Sequence, residues 1–311
     1  GQSLIGGLAG VAYTSTLIDN CSVTGTIVGE GTGDSFGGLV GVNHSATITN
    51  CYAEVNISGF FKVGGLVGYN EIDTFTSGLR RGEVIVIGAR TNVGKSMLCL
   101  HPALVNAREG NKVLLCLNEM DSEEMSLRML SKISKTDISV LSGDREPSTV
   151  DVEAIEVGRE ELRRLNIYFS DKVKTVGAIE ASLAMHKAIG SPVDLMILDH
   201  FNKLKDDSGK NRKSYDFMTD AFQQIYEMAK KYNCTFIVMT QINRAGALAE
   251  KVTLEHLKGT GSLEEDPDKV FLMYGDKGDP DGRVLYLAKN RFGKKDQEFY
   301  LRMKGHIMTL E

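Results

Sequence analysis

An apolar run at residues 84–87 leads directly into the segment GARTNVGKS at residues 88–96, where a helical stretch begins. This pattern constrains the fold strongly, because such a loop needs a strand before it and a helix after it. Its backbone N–H groups and the positive helix end favour a polyphosphate. We expect Lys95 to contact phosphate and Ser96 to bind Mg²⁺; a chance match is the alternative. The predicted nucleotide-binding residues are Ala89, Arg90, Thr91, Asn92, Val93, Gly94, Lys95 and Ser96.

Apolar runs alternate with stretches of helical character beyond residue 83. This alternation predicts an α/β fold in which helices cover both faces of a mostly parallel sheet. Only strand-like runs follow residue 269, which predicts antiparallel strands at one edge. The predicted strands are 84–87, 113–117, 167–169, 195–198, 235–239, 270–274, 284–288 and 298–303, and the predicted helices are about 97–108, 121–134, 152–164, 175–189 and 214–232.

Two of the predicted strands lead into carboxylates, Asp199 and Glu119. Ligands of open α/β sheets bind at the carboxyl ends of strands, so both side chains belong beside the phosphates. Asp199 is predicted to hold Mg²⁺ together with Ser96, directly or through water. Glu119 is predicted to orient and deprotonate the water that attacks the γ-phosphate. The alternatives are an ordinary core strand end for Asp199 and a cap on the helix near Ser122 for Glu119.

The predicted strand at 235–239 leads into Gln241, whose neutral amide suits a hydrogen bond to the γ-phosphate. A solvated polar loop is an equally good interpretation of Gln241. Cations and flexible backbone N–H groups follow, and they suit contacts to a sugar-phosphate backbone, although a surface turn would look much the same. The predicted DNA-binding residues are Arg244, Lys258, Gly259 and Gly261.

Residues 1–70 differ in composition from the rest of the chain. They hold 15 of the 33 glycines, no proline and a single lysine, Lys62. The motif GGLxG recurs at residues 6–10, 37–41 and 64–68, which predicts stacked repeats that bury a face only against their neighbours. The motif resembles the GLUG-type repeats of bacterial surface proteins and implies a short β-solenoid-like segment. Fewer than three full repeats are present, so we expect a truncated segment.

Charge and cysteine usage exclude some classes of protein. A net charge of −5 argues against a globally basic nucleic-acid coat, although a pore needs only a local basic lining. Cys99, Cys116 and Cys234 lie in apolar runs without a CxxC motif, which predicts reduced core residues of a cytoplasmic protein. No run of 18 apolar residues occurs, so we expect no membrane partner.

The order of the motifs in residues 71–311 resembles the DnaB-type replicative DNA helicases. The resemblance implies a RecA-like domain that hydrolyses ATP with Mg²⁺, moves on single-stranded DNA and assembles as a homo-hexamer. It also implies that Glu119 is the catalytic base, that Gln241 senses the γ-phosphate, and that Lys289 and Arg291 reach the neighbouring subunit's ATP. The matching motifs are DTFTSGL at 73–79, ARTNVGKS at 89–96, LNEM at 117–120, LDH at 198–200, TQINR at 240–244, LKGTGSLEED at 257–266 and AKNRFG at 288–293.

Departures and alternatives accompany this resemblance. Thr91 and Asn92 stand where the family usually has Pro-Gly, but Asn tolerates a left-handed backbone, so nucleotide binding should survive. Without the family, Lys289 and Arg291 are simply two solvated cations at a strand end. The competing functions are a RadA- or KaiC-like ATPase that does not unwind DNA, and a fusion whose residues 1–70 form a surface adhesin module.

Overall fold

The computed structural model describes residues 4–13, 16–19, 21–28, 35–37, 39–44, 47–49, 52–58, 63–64, 67–70, 78–90, 93–171, 173–206, 214–243, 246, 252–257, 261–276 and 278–310. The chain divides into two compact units, Gly1–Gly78 and Leu79–Glu311. The composition change predicts a boundary between residues 70 and 71, and residues 71–77 lie outside the described part.

The first unit consists of short strands. They are β1 Leu4–Gly6, β2 Ala9–Tyr13, β3 Leu17–Asp19, β4 Ser22–Val28, β5 Ser35–Gly37, β6 Val40–His44, β7 Thr47–Thr49, β8 Tyr52–Ser58, β9 Val63–Gly64 and β10 Val67–Asn70. Strands at corresponding positions of successive repeats pair in parallel, in the orders β1-β5-β9, β2-β6-β10, β3-β7 and β4-β8. This pairing agrees with stacked repeats, and the β-solenoid itself stays a prediction.

Close backbone contact explains two glycines of the repeated motif, Gly6 and Gly41. A Cβ atom on Gly6 would lie 2.6 Å from the backbone nitrogen of Gly41, a separation that no side chain tolerates. Leu39 and Val40, between the glycines of the second motif, are fully buried. The motif therefore combines backbone contact with a small apolar core.

The second unit is built on a nine-stranded sheet in the order β13-β12-β14-β15-β11-β16-β17-β18-β19. Its strands are β11 Val84–Ala89, β12 Val113–Leu117, β13 Ile167–Ser170, β14 Leu195–Asp199, β15 Thr235–Gln241, β16 Lys269–Gly275, β17 Gly282–Asn290, β18 Gln297–Lys304 and β19 Thr309–Leu310. Strands β11 to β16 run parallel, and β17, β18 and β19 add antiparallel pairs at one edge. This arrangement confirms the predicted fold class for this unit.

The described helices lie close to their predicted positions. They are α1 Lys95–Arg108, α2 Ser122–Ser134, α3 Ile138–Leu141, α4 Thr149–Arg164, α5 Val176–Ala188, α6 Ser214–Tyr232 and α7 Ser262–Glu265. Local chemistry sets their beginnings: Ser148 and Asp151 form a capping box at α4. The short helices α3 and α7 and strand β19 were not predicted, because single turns and two-residue strands carry too little periodicity.

The core of the second unit lies between the sheet and its helices. On α6 one apolar face is buried, and the ring of Phe222 packs edge-on against Phe201 with ring centroids 5.8 Å apart. Cys99, Cys116 and Cys234 are free thiols in the core, as predicted, and burial raises the pKa of Cys116 to about 12. In the described ranges, no helix combines the length and apolar character that crossing a membrane requires.

Candidate nucleotide-binding site

The predicted phosphate-binding loop joins β11 to α1. Residues 91 and 92 of the loop lie outside the described part. Gly94 precedes α1 with a φ of 100°, which glycine adopts without strain. Among the described residues no side chain caps the start of α1, so none of them competes with a ligand for its first N–H groups. This end of the helix is therefore suited to an anionic group.

Three predicted site residues meet at the start of α1 and the end of β14. The Lys95 Nζ lies 3.2 Å from Asp199 Oδ1, and Ser96 Oγ donates a hydrogen bond of 3.0 Å to Asp199 Oδ2. Lys95 is 9% exposed and Asp199 is 3% exposed. A buried lysine beside a buried carboxylate and a hydroxyl provides both a cation for phosphate and oxygen ligands for a divalent metal.

The donor set fits a Mg²⁺ ion that also binds nucleotide. Asp199 Oδ1 is buried and accepts no hydrogen bond within the described residues, although Lys95 Nζ is its ion-pair partner, so this oxygen is a candidate metal ligand beside Ser96. Among the residues that the structure describes, no group of three or more His, Cys, Asp and Glu side chains could hold a metal. Mg²⁺ commonly takes one or two protein ligands and completes its shell with phosphate oxygens and water.

Glu119 follows β12 and lies at the same edge of the sheet. Its Oε2 is 3.8 Å from Lys95 Nζ, and the side chain is 42% exposed. The alternative role as a helix cap is wrong, because Asp121 caps α2 by accepting a 2.8 Å hydrogen bond from the Glu124 N–H. Glu119 therefore does not cap α2, and its carboxylate lies beside Lys95 of the phosphate-binding loop.

His200 is a site residue to which the sequence analysis gave no role. Its Nε2 lies 3.4 Å from Glu119 Oε2, and neither ring nitrogen has a hydrogen-bond partner although the side chain is only 1% exposed. Burial, and then the Lys95 ammonium, lowers the pKa of His200 to about 4. The imidazole next to Glu119 is therefore neutral at physiological pH. A histidine that follows a strand-ending aspartate carries no chemical signal by itself.

Gln241 is the last residue of β15, which lies next to β11. Ala89 and Gln241 are register partners, so Gln241 lies beside the start of the phosphate-binding loop. The side chain of Asn202 holds this strand end: its Oδ1 accepts hydrogen bonds from Thr240 Oγ1 at 2.8 Å and from the Gln241 N–H at 3.1 Å. Asn202 was also not predicted, because it acts through a turn that is distant in sequence.

The predicted DNA-binding residues are only partly described. Arg244, Lys258 and Gly259 lie outside the described part of the chain. Gly261 precedes α7, and its N–H donates to the Tyr215 hydroxyl at 3.4 Å. The DNA contacts of this segment stay a prediction.

Lys289 and Arg291 lie toward the opposite edge of the sheet from the phosphate-binding loop. The register pairs Ala89 with Met273 at the loop end of β16, whereas Lys289 is paired with Val270 near the other end. Burial, and then the nearby Arg291 guanidinium, lowers the pKa of Lys289.

Both cations are held by groups of their own chain. Lys289 Nζ donates to the carbonyl oxygens of Glu264 and Glu265. Arg291 Nη1 donates to the Tyr226 hydroxyl at 2.8 Å and to Asp268 Oδ1 at 2.9 Å. The pair is therefore a positioned group rather than two solvated cations.

Arg283, at the start of β17, reaches the loop from the antiparallel side. Its Nε–H donates a 2.8 Å hydrogen bond to the Val93 carbonyl oxygen, although 190 residues separate the two. The sequence analysis did not identify Arg283, since nothing in the local pattern of β17 points to the loop.

Comparisons with known proteins agree with this fold. The family model described as the DnaB-like helicase C terminal domain matches residues 64–311, and the GLUG motif matches residues 1–28 and 32–58. The first unit thus has the predicted resemblance to GLUG repeats.

Curated relatives carry the same family name. "Replicative DNA helicase DnaB" of Helicobacter pylori is 23% identical over 253 residues, which cover 79% of this chain and 51% of the relative. "Probable plasmid replicative DNA helicase" of Chlamydia muridarum is 24% identical over 250 residues, covering 78% and 53%. The chain thus spans about half the length of the curated relatives it matches.

Solved structures share the fold. One of them, described as an ATPase domain, superposes with a TM-score of 0.72 at 20% identity, covering 77% of this chain and 88% of that one. "The Structure Of A DnaB-Like Replicative Helicase And Its Interactions With Primase" gives the same score and identity over 77% of this chain and 61% of that one. At this identity the likeness establishes a shared fold and nothing further. With a family model that covers most of its length, the chain belongs to the family of DnaB-like helicase C terminal domains.

Proposed function

We propose that residues 71–311 form an ATP- and Mg²⁺-dependent motor that moves on single-stranded DNA and unwinds duplex DNA during replication. One observation carries the proposal: Lys95, Ser96, Asp199 and Glu119 come from three different elements and meet at one edge of the sheet. Membership of the helicase family favours DNA unwinding over a RadA- or KaiC-like activity for this ATPase geometry. Because ATP and replicating DNA occur together in the cytoplasm, we propose that compartment for the motor.

The site residues divide the work of hydrolysis. Lys95 binds the β- and γ-phosphate oxygens, and Ser96 and Asp199 would hold Mg²⁺. A bound Mg²⁺ supplies positive charge to the phosphates as negative charge develops. Glu119 orients the attacking water and accepts its proton, and the neutral His200 beside it adds no positive charge that would make the carboxylate a weaker base. Gln241 hydrogen-bonds the γ-phosphate from the neighbouring strand.

The position of Lys289 and Arg291 supports hydrolysis between subunits. Lys289 is paired with Val270 and the loop begins beside Met273, so about 10 Å of strand separates the two, and Arg291 lies farther from the loop. Hydrogen bonds to their own chain also hold both side chains away from the loop. We therefore propose that both residues complete the site of a neighbouring copy, as a homo-hexameric ring requires.

The proposal is tested by measuring ATP hydrolysis and the unwinding of a forked duplex by the full chain. We expect hydrolysis to require Mg²⁺, to rise with single-stranded DNA and with protein concentration, and to disappear in Lys95→Ala. Hydrolysis that depends on Lys95 but ignores DNA, with no unwinding, would support the ATPase and refute the helicase. Turnover by Lys95→Ala within a fewfold of the parent would refute the ATPase assignment itself.

A further inference from the structure

Arg283 is a buried cation beside the phosphate-binding loop. Arg283 is the second residue of β17 and is only 7% exposed. Besides the bond to Val93, its Nη1 donates to the carbonyl oxygens of Pro280 at 2.8 Å and Gly282 at 2.7 Å, and its Nη2 lies 3.3 Å from Met303 Sδ. These acceptors are all uncharged.

A buried guanidinium without an anion is costly. Across the described part of the chain, Arg283 forms no ion pair with a carboxylate, whereas the buried Lys269 is paired with Glu83. Uncharged acceptors satisfy the donors but leave the positive charge in a poorly solvated place. Such a cost is expected where the charge has a partner in a ligated state, and the neighbouring loop is the predicted polyphosphate site.

The bond to Val93 also fixes the shape of the loop. In a planar peptide unit the carbonyl of one residue and the N–H of the next point in opposite directions. Holding the Val93 oxygen toward Arg283 therefore sets the direction of the Gly94 N–H, one of the donors at the phosphate end of α1. Met303 packs against the same turn: its Sδ would lie 3.4 Å from a Cβ atom placed on Gly94.

We propose that Arg283 is a positioning residue of the nucleotide site, which orients the loop through Val93 and supplies buried positive charge that a bound polyphosphate compensates. The inference rests on the proposed nucleotide binding and extends it to the antiparallel edge of the sheet. Its ligand class is a nucleoside di- or triphosphate, since the effect requires an anion at the loop.

Arg283→Gln and Arg283→Lys in the full chain test the proposal. Glutamine retains a donor but removes the charge, and lysine retains the charge but loses the directed Nε–H bond. Arg302→Gln is a matched control, because Arg302 is register-paired with Gly282 and its side chain is 67% exposed. The readouts are the dissociation constant for Mg-ADP, the KM and kcat for ATP, and thermal unfolding without nucleotide.

We expect Arg283→Gln to weaken Mg-ADP binding and raise the KM for ATP by about tenfold or more, with a much smaller change in kcat. Arg283→Lys should recover part of the affinity, and Arg302→Gln should bind like the parent. Thermal unfolding of Arg283→Gln without nucleotide should stay close to that of the parent, because a buried charge is removed with the hydrogen bond.

Parent-like Mg-ADP affinity in Arg283→Gln would overturn the proposal while leaving the ATPase assignment intact. A large loss of thermal stability, with no recovery of affinity in a folded Arg283→Lys, would assign Arg283 a purely structural role and also overturn it. Failure of the parent itself to bind Mg-ADP would instead refute the proposed function.

Discussion

Ser96 Oγ donates a 3.0 Å hydrogen bond to Asp199 Oδ2, and this bond joins the first turn of a helix to the end of a strand 103 residues later. The two side chains present one hydroxyl and one carboxylate to the same position. Neither is a strong metal ligand alone, and together they leave most of the coordination shell to phosphate and water. The metal and the nucleotide are therefore expected to bind cooperatively.

The first prediction follows from this shared position. Asp199→Asn should lower the rate of ATP hydrolysis by about two orders of magnitude, because the charge that holds the metal is lost. The Mg²⁺ concentration for half-maximal activity should rise, which a titration of activity against Mg²⁺ measures. Unchanged Mg²⁺ dependence would show that Asp199 is only a core strand end.

The second prediction concerns the base. Glu119→Gln preserves shape and removes the proton acceptor, so turnover should fall by about 10²- to 10⁴-fold. The dissociation constant for Mg-ATP should stay near that of the parent. Equilibrium binding measures this constant, and single-turnover hydrolysis measures the rate separately. Equal losses of binding and rate would argue for a structural role of Glu119 next to Lys95 and His200.

The third prediction tests the action of Arg291 between subunits. Arg291→Ala should bind nucleotide normally and lose the stimulation of hydrolysis by single-stranded DNA. Mixing it with Glu119→Gln should restore some activity, because an interface can pair an intact base from one chain with an intact Arg291 from the other. Random mixing in a closed ring makes about a quarter of the interfaces competent.

Two outcomes would contradict this role. One is the absence of restored activity when the two variants demonstrably mix in the same assembly. The other is normal hydrolysis by Arg291→Ala as a dilute monomer, which would favour the ATPase that works without a neighbour.

The fourth prediction concerns stability. Lys269 Nζ lies 2.5 Å from Glu83 Oε2, and both residues are almost fully buried, at 1% and 3% exposure. Lys269→Met should lower the free energy of unfolding by about 3–5 kcal/mol, because it removes the buried cation of this pair and leaves Glu83 with only the Arg80 Nε at 3.9 Å and the Arg80 N–H at 3.2 Å among the contacts that the structure describes. The double variant Lys269→Met and Glu83→Leu should recover most of that loss.

Chemical denaturation followed by circular dichroism measures this effect. Lys231→Met is the control, since Lys231 pairs with Glu180 on the surface and its side chain is 62% exposed. Its loss should change stability little. A small effect of Lys269→Met alone would mean that water or another group takes over the Glu83 carboxylate.

The sequence by itself determined the elements of the second unit and most of its chemistry. Strand and helix positions were predictable because long apolar runs and helical spacing are local properties of the chain. Lys95, Ser96, Asp199 and Glu119 were predictable because parallel strands deliver their terminal residues to one edge. The GGLxG repeats likewise predicted that the repeats of the first unit stack on one another.

Only the tertiary structure decided which distant groups support that site. The Arg283 side chain contacts the Val93 backbone, and the Asn202 side chain contacts the Gln241 backbone. Both contacts depend on how the edges of the sheet are assembled. The tertiary structure also separates Lys289 and Arg291 from the phosphate-binding loop of their own chain, because β17 runs antiparallel to β16. Hydrogen bonds between a side chain and a backbone group remote in sequence leave no periodicity, so these relationships emerge only when the chain is folded.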